Sequence, residues 1–393
     1  MDELAKAAPK PTGVGEMFQL LRDGQPRTRS DLATLTGQAR STIAARVDAL
    51  LGSGLVAPAG EATSTGGRPP ATFAFNPAAR VVLAVDLGAT HARLAVTDLA
   101  GTVLAEHSEQ IAIADGPAPV LDRVAELGHL LLDKADRQAD DLVSVGVGLP
   151  GPVEHSTGRP INPPIMPGWD DADVPGHLGR RLHVPALVDN DVNIMALGEH
   201  ATAWRTVDHL LFVKVATGIG AGIISDGAIR RGAQGAAGDL GHIAVPGGLD
   251  LPCRCGNTGC LEAVASGPAI ATALQAQGLD ARSSADVVAL VRSGDLAAGR
   301  EVREAGRHIG EVLAACVSML NPSMIVIGGV VADAGEHLLA GIREVVYRRS
   351  LPLATQHLRI VTSRTGARAG VLGAATMAAE HVLSPAAIDA LVG

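Results

Sequence analysis

Apolar residues near the N-terminus recur every three to four positions. EMFQLLRDG (Glu16–Gly24) and SDLATLTG (Ser30–Gly37) both carry this spacing and both stop at a glycine, which predicts two short helices in succession. After the turn GQAR comes STIAARVDALLGSG, where Ile43, Val47, Leu50 and Leu51 share an inward face. Gln38, Arg40, Ser41, Thr42 and Arg46 are left facing outward. LVAPAGEATSTGGRPPATFAFN then reads as two short strands around a tip of Gly, Pro, Ser and Thr. Two helices, a turn, a third helix with a polar and basic face, and a two-stranded wing make up a winged helix-turn-helix. In that unit the last helix lies in the major groove of duplex DNA.

From residue 80 the pattern changes to apolar strands alternating with helices. VVLAVDLGATHARLAVTDLAGTVLAEH gives three β-rich runs broken at Gly88–Thr90 and Asp98–Gly101, followed by a helix over Pro119–Arg137. LVSVGVGLPG and PALVDN are strands, and a helix runs from Asp191 to Ala203. HLLFVKVATGIGAGIISDG holds further strands. Two helices lie between Ser283 and Leu320. The strand SMIVIGG, a helix at Glu336–Arg349, the strand LRIVTS and a helix from Gly370 to Leu383 complete the chain. This alternation is that of an α/β domain. The expected division is a DNA-binding domain over 1–78 and an α/β domain over 79–393.

Composition sharpens this division. The 393 residues are 47% apolar but only 2% aromatic, so the core is built from Ala, Val, Leu and Ile. The net charge of −9 argues against general nucleic-acid affinity, yet the first eighty residues hold nine basic against seven acidic side chains. Basic character is thus concentrated where the recognition helix is expected. Arg68, in GGRPP at the wing tip, is placed to enter a narrow minor groove. No apolar leader or membrane-length run is present, and the expectation is a soluble, cytoplasmic protein without a membrane partner.

Three glycine-bearing turns follow strands. DLGAT offers Asp86, Gly88 and Thr90, ATGIGAG offers Thr217, Gly218 and Gly220, and IGG offers Gly328 and Gly329. Small residues there let a phosphate approach backbone N–H groups, with Asp86 toward a magnesium-bound nucleotide, although tight turns account for each one equally well. Between them DNDVN (Asp189–Asn193) ends a strand and opens a helix, where ligands of open α/β sheets collect. Asn190 and Asp191 are therefore candidates to hold polyol hydroxyls, and Asp191 can serve as a base in phosphoryl transfer. Asp191 equally suits a helix cap.

Three of the four cysteines fall within eight residues, downstream of a histidine. His242, Cys253, Cys255 and Cys260 form the Cys3His set of a closed, tetrahedral structural zinc site. Such a clasp aims Asp239 and Glu262 at a common small ligand. Cys316, in an apolar helix, is a core residue.

DLGAT, DNDVN, GDLGH, CRCGNTGCLE and IGG, in that order, resemble the ROK family of bacterial sugar kinases and sugar-responsive repressors over essentially the whole chain. The resemblance implies a two-lobed actin/hexokinase-like (ribonuclease H-like) fold. It also implies sugar contacts at Asn190, Asp191, Asp239, His242 and Glu262, with Asp191 as the kinases' base. A homodimer or homotetramer on a palindromic operator is the implied assembly, with a monosaccharide or sugar derivative as effector. The family's kinases carry D-x-G-G-T-K at the first turn, whereas Ala89 and His91 stand here; Ala216 replaces a glycine in the second turn, and Asp239 a glutamate. An added Cβ and a mostly neutral imidazole weaken phosphate binding. The leading expectation is a sugar-responsive repressor with structural Zn²⁺. The alternative is a kinase of a hexose or N-acetylated amino sugar using Mg-ATP, and a metal-stabilised scaffold is a third possibility.

Overall fold

The computed structural model describes residues 13–61, 69–245 and 250–393; Arg68 lies outside them. The head comprises α1 (Val14–Gln19), β1 (Arg27–Thr28), α2 (Arg29–Thr36), α3 (Arg40–Ser53), β2 (Val56–Glu61) and β3 (Ala71–Phe75). α1 ends earlier than its apolar spacing suggests. The N–H groups of Leu20, Leu21 and Gly24 bond three residues back, which tightens this stretch into turns ahead of Pro26. α2 starts at a reciprocal cap, with the Thr28 hydroxyl accepting from Asp31 N–H and the Asp31 carboxylate accepting from Thr28 N–H. It ends at Gly37, whose φ of 68° suits glycine. β1, a strand the sequence did not suggest, pairs with β3, and β3 with β2.

The first lobe opens with the antiparallel strands β4 (Val81–Leu87), β5 (His91–Asp98) and β6 (Val103–Gln110). α4 (Pro117–Lys134), β7 (Leu142–Leu149), a small hairpin of β8 (Val153–Glu154) and β9 (Arg159–Pro160), α5 (Val174–Leu182) and β10 (Ala186–Asn190) follow. The sheet order is β10-β7-β4-β5-β6, with β7 and β10 parallel to β4. α6 (Asp191–Ala203) leads to the second lobe, which starts with β11 (Leu210–Val215), β12 (Ile219–Ser225) and β13 (Ala228–Arg230). Then come α7 (Leu261–Ala265), α8 (Gly267–Ala276), α9 (Ser284–Arg292), α10 (Leu296–Leu320), β14 (Met324–Gly328), α11 (Glu336–Arg349), α12 (Pro352–Thr355) and β15 (Arg359–Thr362). Its order, β13-β12-β11-β14-β15, repeats the first: three antiparallel strands, then two parallel ones. α13 (Ala369–Val382) and α14 (Pro385–Val392) close the chain.

α6 and α13 form a layer between the two sheets. Ile194, Val371 and Ala374 pack on the first sheet, and Val192, Met195 and Ala369 on the second. The helices touch backbone to backbone: a Cβ on Gly373 would stand 1.7 Å from the Ile194 carbonyl oxygen. The head shares this core, since Met17, Phe18, Leu21 and Ile43 are buried in one cluster with Ala378, Leu383 and Ile388. The expected boundary at 78/79 is therefore crossed by continuous apolar packing. Among the described residues no single helix is long and apolar enough to cross a membrane.

Candidate functional site

The metal candidates come from the loop after β13 and the knuckle before α7. Gly256 and Gly259, with φ of 93° and 68°, turn the knuckle, while Ala244 and Cys260 pair as an isolated bridge. The ligand atoms of His242, Cys253, Cys255 and Cys260 all lie within 4.8 Å of one another. Cys255 Sγ and Cys260 Sγ are 3.7 Å apart, and Cys253 Sγ is 3.6 Å from His242 Nδ1. Tetrahedral zinc with S at about 2.3 Å and N at about 2.0–2.1 Å separates such atoms by about 3.8 and 3.6 Å. The donor set fits zinc in type, number and spacing. Burial pushes the Cys260 thiol up to about 12, and Cys255 and Cys253 add to the shift. A divalent cation held here would supply the charge that lets three thiolates sit together. With Nδ1 turned to the metal position, only His242 Nε2 is left to face a ligand.

The second group gathers around the N-terminal end of α6. Asn190, not Asp191, caps this helix: its Oδ1 accepts from Val192 N–H at 2.9 Å, and its Nδ2 donates to the Gly151 carbonyl at 2.8 Å. Asp189 is buried and accepts from Asn193 Nδ2 at 2.9 Å and Arg231 Nε at 2.6 Å, joining β10 to the loop after β13. Asp191 is also buried, with Oδ2 2.5 Å from Lys214 Nζ on β11. Lys214 was not among the sequence candidates. Burial favours its neutral form, but Asp191, then Asp86 and Glu262, outweigh this and hold it protonated. Glu262 Oε2 accepts from Ile219 N–H at 3.2 Å and lies 2.6 Å from the position of a Cβ on Gly218. Asp239 is exposed.

The phosphate-turn candidates are already engaged. Gly88 N–H donates to the His91 carbonyl at 2.8 Å, and the His91 ring covers Gly88, with Cε1 2.1 Å from where a Cβ would stand. The Thr90 carbonyl accepts from Ile111 N–H. Asp86 packs against Gly370 at the start of α13, and burial, reinforced by the charge of Asp191, raises its pKa. In the second turn Thr217 is exposed, and Gly220 makes room for Val192. Gly328 lies under the Phe212 ring, and Gly329, at φ 83°, abuts the Val215 backbone. An imidazole thus lies over Gly88, a carboxylate on Ile219 N–H and an ammonium against Asp191.

In the head, Arg40, Ser41 and Thr42 are exposed on the first turn of α3, and Gln38 Oε1 accepts from Arg46 at 2.6 Å. Arg46, in the second turn of α3, thus reaches back to Gln38 ahead of the helix.

A model described as the ROK family matches residues 82–381. The chain belongs to the ROK family. It is 28% identical over 382 residues to the xylose repressor of Caldicellulosiruptor bescii, covering 94% of this chain and 95% of that one. The crystal structure of a ROK family transcriptional regulator, a homologue of the E. coli MLC protein, superposes with a TM-score of 0.83 at 27% identity, covering 96% of this chain and 98% of that chain. A glucokinase of Halalkalibacterium halodurans is 32% identical over 312 residues, covering 75% of this chain but 93% of its own. The mixed α/β fold and the N-terminal head match ROK repressor architecture.

Proposed function

We propose that this chain is a sugar-responsive, DNA-binding transcriptional regulator, a repressor of carbohydrate-related genes, in which structural zinc organises a monosaccharide site. The observation that carries the proposal is the head, which lies outside the residues 82–381 matched by the family model: its α3 exposes Arg40, Ser41 and Thr42 at the first turn and is packed into the ROK core. In this reading Gln38, Arg40, Ser41, Thr42 and Arg46 read the major groove. Arg68 enters the minor groove beside it.

The cleft residues take the effector. Asp191 and Glu262 accept sugar hydroxyls, Asn190 fixes the strand end, and Asp239 and His242 Nε2 approach from the loop that zinc holds through His242, Cys253, Cys255 and Cys260. Zinc supplies cross-linking of that loop and no reactive position, because four protein ligands fill its coordination. An effector shifts operator affinity only through unequal affinity for two arrangements of the lobes and head. A pair of chains on a palindromic operator suits the paired reading helices.

Selection of bound DNA from a genomic library, with and without a panel of monosaccharides, tests the proposal. The expected result is one enriched palindromic sequence whose affinity changes with one sugar. No enrichment, or no sugar effect across the panel, overturns it.

Retention of Asp191 in a buried position beside the cleft favours one second reading, an ATP-dependent sugar kinase. Sugar-dependent ADP release that disappears in Asp191→Ala would establish it.

A further inference from the structure

β11 reads LLFVKV, five apolar residues and one lysine. Alternation along the strand sets Leu210, Phe212 and Lys214 on one face, and Leu210 and Phe212 pack there with Val192 and Met195 of α6. Lys214 is the next residue on this face and ends beneath the first turn of α6, at Asp191. A protonated lysine so placed needs partners, since burying an unpaired ammonium is costly. Asp191 bonds it directly; Asp86 of β4 pairs with Gly148, whose Cβ position is 3.5 Å from Asp191 Cα, and Glu262 of α7 sits on Ile219 N–H of the strand paired with β11, so both add their charge to its surroundings.

We propose that Lys214 is a resident cation, occupying the place between Asp86 and Asp191 where a nucleotide-bound divalent ion would lie and thereby reserving the cleft for uncharged polyols. The ligand class rests on the sugar-binding reading above. The cation role does not.

The chemistry of the cluster supports both halves. A divalent ion entering between Asp86 and Asp191 meets a tethered ammonium that has already claimed Asp191 Oδ2. A phosphate meets the carboxyl groups of Asp86, Asp191 and Glu262, with one ammonium to offset them. A sugar hydroxyl meets neither obstacle. Asp191 retains a second oxygen as acceptor, and the ammonium has three N–H donors, of which Asp191 takes one. Lys214 and Asp191 thus supply donor and acceptor together at a site where the kinase alternative places a base alone.

The test uses the full chain loaded with zinc, so that the cysteine knuckle cannot take up the probe. Mn²⁺ alone, and then the ATP analogue AMPPNP with Mg²⁺, are titrated into the wild-type chain, Asp191→Asn, Lys214→Met and Lys214→Thr. The wild-type chain is expected to bind neither probe at the cleft. A Lys214 variant that folds is expected to bind one Mn²⁺ per chain at least tenfold more tightly, and adding Asp191→Asn should remove that gain. The proposal is overturned if the wild-type chain binds Mn²⁺ or Mg-AMPPNP in a manner lost in Asp191→Asn, a result that needs no Lys214 variant to fold. It is equally overturned if both Lys214 variants melt near the wild-type temperature and gain no Mn²⁺. Failure of every sugar to bind, with Mn²⁺ behaving as expected, sinks the sugar reading and leaves the role of Lys214 standing.

Discussion

Arg22 in the head and Glu380 near the end of α13 are joined by two hydrogen bonds, of 2.9 and 2.5 Å. Gln19 Nε2 adds a bond to the Leu383 carbonyl, and Gly15 N–H donates to Asp389 Oδ1. These contacts orient the head. They do not supply most of the energy that holds it.

The ion pair is partly solvated, with Arg22 25% and Glu380 56% exposed, and such pairs contribute about 0–1 kcal/mol. Phe18 is fully buried against the same helices and stacks edge-on with Phe75, ring centroids 5.6 Å apart. Phe18→Ala is therefore expected to cost about 3–5 kcal/mol and Arg22→Ala less than about 1 kcal/mol. Urea unfolding monitored separately for the head and the lobes checks this. A larger loss in Arg22→Ala than in Phe18→Ala would mean that the polar clasp, not the core, carries the docking.

Zinc removal is the second prediction. Cys255→Ser leaves three of four donors and is expected to lower metal content below one zinc per chain and to lower the melting temperature. Elemental analysis and calorimetry read both. Cys316→Ser, in the core of α10, should leave metal content unchanged.

Acid should loosen the junction of α6 with the loop after β15. Glu199 is fully buried, and burial alone would raise its pKa. Hydrogen bonds from Arg364 N–H, the hydroxyls of Thr365 and Ser363, and Thr365 N–H more than offset this, so the folded value lies below the ordinary 4.5. A depressed acid contributes its stability above its ordinary pKa and loses it as pH falls through the folded value. The chain should therefore lose stability below pH 4.5, whereas Glu199→Gln should be less stable near neutrality by about 1–3 kcal/mol and respond less to acid. Denaturation midpoints from pH 7 to pH 3 decide it; parallel curves would contradict the assignment.

DNA binding gives the fourth prediction. If Arg40 contacts a phosphate, Arg40→Ala should reduce the slope of log K against log salt by about 1. Gln38 and Arg46 are hydrogen-bonded, so their alanine variants should be non-additive in operator affinity. Full additivity would show that they act separately.

Much of this arrangement can be read along the chain. α6 and α11 have the expected limits, α6 starting at the Asn190 cap and α11 lying between Gly335 and Ser350. The metal knuckle is equally legible, since its ligands are close in sequence and specific in chemistry. Other features depend on distant partners. β1 is two residues long and exists only as the mate of β3, so no periodicity marks it. Lys214 looks like an interruption in an apolar strand until α6 brings Asp191 to it from 23 residues away. α5 and α14 carry legible caps in Asp173 and Ser384, with proline in the first turn. Glycines lower the helix propensity of α5 although Val174, Leu178 and Leu182 keep their spacing, and α14 is short. Gly88 illustrates a third limit, because only the folded turn reveals that His91 lies across it.

α13 begins beside Asp86 and ends at Glu380, beneath the head. As one uninterrupted rod of about 21 Å, gripped at Gly373 by the backbone of α6, it is a strut with the carboxyl cluster at one end and the seat of the head at the other.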